Sequence, residues 1–148
     1  MAVKKIKDIF IQGPISPKFV ADSIGKHETK TTIGAHSIFL GQVRNDQEGE
    51  QRVKWIEYTC YKEMALEKMQ EIREEIFAKY PLSCMHVHHS LGLVPAGQIS
   101  LFVFTSSPHR KLAMEACTET VERIKAELPV WGKEIFENKG YQWKKQAT

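Results

Sequence analysis

Apolar positions along this chain follow two periods, and the order in which those periods alternate predicts its elements. Residues 6–12 are rich in isoleucine and phenylalanine and stop at Gly13 and Pro14, which predicts a strand. Ser16 and Pro17 then supply an N-cap and a proline at the first helical position, and Gly25 stands where that short helix should end. Residues 34–44 contain the apolar stretch Ile38, Phe39 and Leu40 and read as a buried strand that delivers Arg44 to a loop, the polar run 45–51. Residues 53–60, β-branched and aromatic, predict another strand. Helical spacing takes over at about 62–79, with Ala65, Met69, Ile72 and Ile76 on one stripe.

Pro81 separates that helix from a strand at 84–91. Pro95, Ala96 and Gly97 turn the chain into residues 99–105, the strongest strand signal, so this pair should form a hairpin. Ser107 and Pro108 open a second long helix whose apolar face is Ala113, Cys117, Val121, Ile124 and Leu128, and Pro129 ends it. Residues 131–145 read as a short closing tail. Strands and helices alternate irregularly with hairpin-type connections, which predicts an α+β domain with a largely antiparallel sheet and two long helices rather than a doubly wound fold.

Composition narrows the class. At 148 residues, 42% hydrophobic and 26% charged, the chain can bury one substantial core, and a single domain over 1–148 is expected. Cys60, Cys84 and Cys117 lie far apart with no CxxC spacing, which indicates neither a disulfide framework nor a zinc ribbon but reduced cytosolic thiols. Residues 1–10 carry lysines but lack the apolar run of a signal peptide, and no run approaches membrane-spanning length, so a cytoplasmic protein without a membrane partner is expected. A net charge of +3 and a pI near 8.7 suit an anionic substrate or an acidic partner. They fall short of a nucleic-acid footprint, and basic and aromatic residues interleave too sparsely for RNA binding.

Three segments carry candidate chemistry. In the first, Thr105 to Arg110, a buried strand meets a helix start where unpaired N–H groups converge, and His109 and Arg110 add donors for an anion. Basic residues in a first helical turn oppose the dipole and call for a compensating reason, although an ordinary Ser107 cap with solvated neighbours fits the local pattern equally well. In the second, Gly41 to Arg44, the planar fork of Arg44 suits a phosphate; the competing reading is a surface ion pair with Asp46 or Glu48. In the third, Ile124 to Lys133, Lys125 borders the apolar stripe and Lys133 follows a proline and a tryptophan, so either amine can be desolvated and its pKa lowered; a favourable last-turn cation is the plainer reading of Lys125. Cys84, His86 and His88 share one strand face with His89 on the other. No remote ligand stands at a recognisable metal spacing, and a partly exposed strand face is the simpler reading. Cys117 reads as core.

Taken together, and in order from residues 34 to 143, these segments resemble the catalytic, large-subunit family of molybdopterin synthase. The family pattern is a Gly-x-Val-Arg strand end, a Ser-x-His-Arg helix start and a Lys-x-x-x-Pro-x-Trp-Lys segment, here Gly41 to Arg44, Ser107 to Arg110 and Lys125 to Lys133. Glu57, Tyr58, Tyr61, Met64, Ala65, His89 before Gly92, and the Pro95 to Gly97 turn also look like the family. Two positions depart from it: Pro108 replaces a common alanine, and Gly132 stands where a lysine often follows the tryptophan, which leaves Lys133 to serve in its place.

The resemblance implies the α/β hammerhead fold and a reaction. Cyclic pyranopterin monophosphate receives two sulfur atoms and becomes molybdopterin, the sulfur arriving as a thiocarboxylate on the C-terminal Gly-Gly of a small ubiquitin-like subunit. No cofactor, metal or catalytic cysteine is implied. The implied substrate-binding residues are Gln42, Val43, Arg44, His109, Arg110, Lys125, Gly132, Lys133 and Glu134, with Lys125 and Lys133 catalytic. The alternative is a noncatalytic module for a ubiquitin-like tail, which would tolerate loss of the Lys125 amine. His109 and Lys125 lie on one expected helix about 24 Å apart at 1.5 Å per residue, so a shared substrate calls for two subunits. The expectation is a homodimer within a heterotetramer.

Overall fold

A computed structural model describes residues 6–138 and 140–144. Its strands are β1 (Phe10–Gln12), β2 (Ala35–Gln42), β3 (Gln47–Glu48), β4 (Gln51–Cys60), β5 (Cys84–Pro95), β6 (Ile99–Ser107), β7 (Val130–Phe136) and β8 (Tyr141–Trp143); its helices are α1 (Pro17–Gly25), α2 (Lys62–Lys79) and α3 (Arg110–Glu127). The sheet order is β2-β6-β5-β4-β7-β8, with β1 on β5 and β3 on β4. Every pairing is antiparallel except β1 with β5. This is the expected α+β architecture, with β5 and β6 as the hairpin. No helix among the described residues is long and apolar enough to cross a membrane.

Alternation along β6 divides the core. Leu101 and Val103 point to one face, where they meet Met69, Ile72 and Ile76 of α2 and Ala116, Cys117, Val121 and Ile124 of α3. Phe102 and Phe104 point to the other, where they meet Ile15 and Val20 under α1. The helical stripes read from the sequence are the buried ones, with Ala116 and Thr120 added on α3. Ser16 caps α1 by accepting a hydrogen bond from the Phe19 N–H, in keeping with its position beside Pro17.

Several boundaries differ, and β5 runs on to Pro95 instead of ending at residue 91. The first strand shrinks to Phe10–Gln12, because only these residues pair with β5. The 45–51 loop contains a small hairpin, β3 against the start of β4. The second long helix starts at Arg110 rather than Ser107, because Thr105, Ser106 and Ser107 remain paired with β2 and buried despite their polarity. The closing tail contains two strands, of which β7 lies against β4 from Val53 to Cys60. The last residue of that tail, 145, lies outside the described residues.

Two glycines hold the chain in paths that a side chain would block or strain. A Cβ at Gly34 would lie 2.1 Å from the Pro108 carbonyl oxygen, so only glycine lets the start of β2 run beneath the turn into α3. Gly92, at φ +79°, sits where β5 stops pairing with β6 and begins pairing with β4.

Candidate active site

A cavity of about 200 Å³ opens between the C-terminal end of α3 and the β4–β7 pair. Ile124, Leu128, Val130 and Trp131 form its apolar wall, and Tyr58, His89, Lys125, Gly132, Trp143 and Lys144 supply the rest. The register of β7 on β4 places Gly132 opposite Tyr58. A Cβ on Gly132 would lie 2.9 Å from Ile56 Cγ2 and 3.4 Å from a Tyr58 ring carbon, so any side chain there would displace this wall.

Lys125 is exposed at the cavity mouth, yet protein atoms crowd its amine. Desolvation is the main cause that holds its pKa below the ordinary lysine value, and the positive charge of Lys144 is the second. Lys144 is placed by its own backbone, whose N–H donates to the Gly132 carbonyl at 2.9 Å. His89 is buried beneath them, and burial, then Lys125 and Lys144, push its pKa down to about 4 against a favourable hydrogen bond. Its ring is therefore neutral at pH 7; a carbonyl can only accept, so Nδ1–H donates to the Ser90 oxygen at 2.8 Å and Nε2 is left as an acceptor. The Tyr58 hydroxyl donates to Ser100 Oγ at 3.1 Å, and burial raises its pKa, with the Glu134 charge adding to the rise. The result is a desolvated amine beside a second cation, over neutral donors and acceptors.

The residues singled out in the sequence separate into four groups. Lys125 and Gly132 line the cavity. Lys133 faces the other side of β7, 3.5 Å from Glu57 and over the rings of Tyr141 at 4.7 Å and Trp143 at 5.7 Å. Glu134 is buried and accepts from Gln142 Nε2 at 3.0 Å. Arg44, exposed, pairs with Asp46 at 3.1 Å; Gln42 is exposed at the end of β2. Val43 is 2% exposed in the core with Val53, Ile56 and Val94, and its N–H and carbonyl are bonded to Gln98 and Gly97, so it fixes the strand end rather than presenting a side chain. His109 and Arg110 are exposed at the N-terminus of α3, where Ser107 Oγ accepts from the His109 N–H at 3.2 Å. Since α3 is one continuous helix, they stand a full helix length from Lys125.

Lys144 escapes a reading of the sequence, because no motif marks a lysine one residue beyond a three-residue strand. Tyr58 and His89 stand out there only by their likeness to a family. Their common position at the inner side of one cavity follows from register, not from spacing.

A family model described as MoaE protein matches residues 12–127. The chain is 41% identical over 131 residues to a molybdopterin synthase catalytic subunit of Taeniopygia guttata, covering 87% of this chain and 83% of that one. It spans only 30% of the length of another relative of the same name, from Drosophila grimshawi. Its fold matches molybdopterin synthase from Staphylococcus aureus with a TM-score of 0.81 and 31% identity, over 95% of this chain and 99% of that one. It also matches a chain in a complex of subunits 1 and 2 of the molybdopterin-converting factor of Helicobacter pylori, with a TM-score of 0.78, 21% identity, and coverage of 94% and 90%.

Proposed function

This chain belongs to the MoaE family, and from that premise we propose that it is the catalytic subunit of a molybdopterin synthase, a cytoplasmic sulfurtransferase that converts cyclic pyranopterin monophosphate to molybdopterin. The sulfur donor is the C-terminal thiocarboxylate of a small ubiquitin-like subunit ending in Gly-Gly. The observation that carries this reading is the pairing of Lys125 with Lys144 at a narrow, half-apolar cavity. A thin glycine tail can enter such a space, and two ammonium groups attract its terminal anion.

The roles follow from charge and position. Lys125, its pKa lowered, serves as base or nucleophile at the thiocarboxylate carbonyl. Lys144, whose backbone N–H donates to the Gly132 carbonyl, supplies the second positive charge beside it, while Lys133 adds a positive charge from the far side of β7. His109 and Arg110 bind the substrate phosphate through charge-assisted hydrogen bonds; Arg44, with Gln42 beside it, stands at the opposite end of β2 and joins them at one phosphate only from the other subunit.

The separation of the two ends of α3 supports a homodimer in which one subunit offers His109 and Arg110 and the other the lysines. Two further features favour it. The cavity, at about 200 Å³, is smaller than the roughly 300 to 1,000 Å³ of a complete small-molecule site. The outer strand β2, paired only with β6 among the described residues, exposes Ile38 and Leu40. With one small subunit at each composite site the assembly is a heterotetramer. The test is to mix the purified protein with a thiocarboxylated small subunit and the cyclic pyranopterin, and to assay molybdopterin by its oxidised fluorescent derivative. Product is expected; none with a partner proven competent elsewhere overturns the reading.

A further inference from the structure

On the opposite face of the sheet from the Lys125 cavity, the turn after α1 approaches the first half of β5. His27, 7% exposed, follows the helix, and Cys84 and His86 alternate along the strand on one side. One ring nitrogen from each histidine and the Cys84 sulfur lie within 4.8 Å of one another. Neither Cys84 nor the two histidines belong to the sulfur-transfer site, and none of the three is near Lys125 in the fold.

The hydrogen bonding of His27 defines which atom it offers. Its Nδ1 is 2.7 Å from the Ser23 carbonyl oxygen, which can only accept, so Nδ1 carries the hydrogen and Nε2 presents a lone pair. Backbone support of this kind is how metal-binding histidines are oriented. That lone pair points at His86 Nε2, 3.0 Å away. Without an ion, His86 Nε2–H donates across this gap. The rings are fixed by packing, His27 against Phe104 at 4.8 Å between centroids and against His86 at 4.9 Å. His88, the next residue on the same strand face, stacks instead with Phe19 and Phe102 and stands outside the set.

We propose that His27, Cys84 and His86 form a binding site for a borderline-soft divalent cation, zinc above all, with two imidazole nitrogens, one thiolate and a fourth position left to solvent. The donor set excludes magnesium and calcium, which take oxygen ligands. Bond lengths of about 2.0 Å to nitrogen and 2.3 Å to sulfur place donors on a tetrahedron roughly 3.3 to 3.7 Å apart, so closing the cluster takes side-chain adjustment without movement of the sheet. On binding, the metal–sulfur bond replaces the S–H bond and the thiol proton leaves to solvent, while the His86 hydrogen passes from Nε2 to Nδ1. Lys7 and Arg73 approach His86 from the segment before β1 and from α2, and they oppose a cation; the bound thiolate cancels one of its two charges. A 2.6 Å hydrogen bond from Arg73 to the Met85 carbonyl holds its guanidinium beside the cluster. The site would pin the end of α1 to β5.

The test uses tag-free protein stripped by chelator and then titrated with cobalt(II). One equivalent is expected to bind with tetrahedral d–d bands and a thiolate charge-transfer band in the near ultraviolet. Cys84→Ser should lose the charge-transfer band, His27→Gln should weaken binding at least tenfold, and Cys60→Ser should change neither. Absence of stoichiometric binding by the wild-type chain overturns the proposal, as does a charge-transfer band that survives in Cys84→Ser. Should Cys84→Ser fail to fold, zinc-edge absorption of the wild-type protein decides: one sulfur and two imidazole ligands support the site, and a shell without sulfur overturns it.

Discussion

At its N-terminal end α3 carries His109 and Arg110 into solvent with no side-chain cap, whereas at its C-terminal end the same helix presses Lys125 against a cavity beside Lys144. Cations at a helix N-terminus oppose the dipole, while a cation in the last turn is favoured by it. The dipole alone would therefore make the first end costly and the second ordinary. The surroundings reverse this: His109 and Arg110 stand in solvent with nothing on the protein to offset the dipole, whereas the amine of Lys125, though its side chain is exposed, is partly desolvated beside a second cation. In the proposed function the first end docks an anion that brings the compensating charge, and the second is a group whose pKa is lowered before any ligand arrives.

The sharpest way to break this contrast is at Lys125. Lys125→Ala should lower sulfur transfer by about 10² to 10⁴-fold, the range of a lost acid–base group, with little change in thermal midpoint because the side chain borders the cavity rather than filling core. Near wild-type turnover in a folded Lys125→Ala protein would remove the assigned role. Next in size is the test of whether both ends serve one substrate. Inactive His109→Ala/Arg110→Ala protein, mixed with inactive Lys125→Ala protein under conditions that exchange subunits, should regain activity, because each mixed dimer holds one site with all its residues. Proven mixed dimers that stay inactive would eliminate the shared site.

The smallest effect sharpens the cavity end. In the proposed role Lys125 works as a free amine, and Lys144 helps keep its pKa low, so Lys144→Gln should let that pKa rise and leave less free amine at a given pH. The acidic limb of the kcat profile should then move to higher pH, with the activity loss shrinking as pH increases. A limb that stays in place would assign Lys144 to binding alone, and KM would carry the change.

Much of this contrast is legible in the sequence. The stripe Ala113, Cys117, Val121 and Ile124 defines α3, and its continuity already sets His109 and Lys125 a helix length apart. What the sequence hides is the structure across from each end. Val130–Phe136 mixes Gly132, Lys133 and Glu134 among its β-formers, so the alternation that marks a half-buried strand is broken by a glycine on the packed face and by a buried carboxylate. With β7 read as tail, Gly132 cannot be placed against Tyr58, nor Lys144 beside Lys125. The start of α3 is misplaced for a related reason: Ser107 looks like a cap but finishes a strand. His27 has no neighbour in sequence that marks it, and only the packing of α1 on the sheet brings it to Cys84 and His86.

The register that sets Tyr58 opposite Gly132 bears on how the molecule comes to exist. These two strands are separated in the chain by α2, the β5–β6 hairpin and α3, so their pairing closes a long loop, while the hairpin closes a short one. Loop-closure entropy makes such distant pairings late and slow. The core of hairpin and long helices can collapse while β7 is still free, leaving β4 with an open edge and Val53 and Ile56 uncovered. Newly synthesised chains should therefore pass through an interval in which they are compact but inactive, and in which association between exposed strands competes with completion of the cavity.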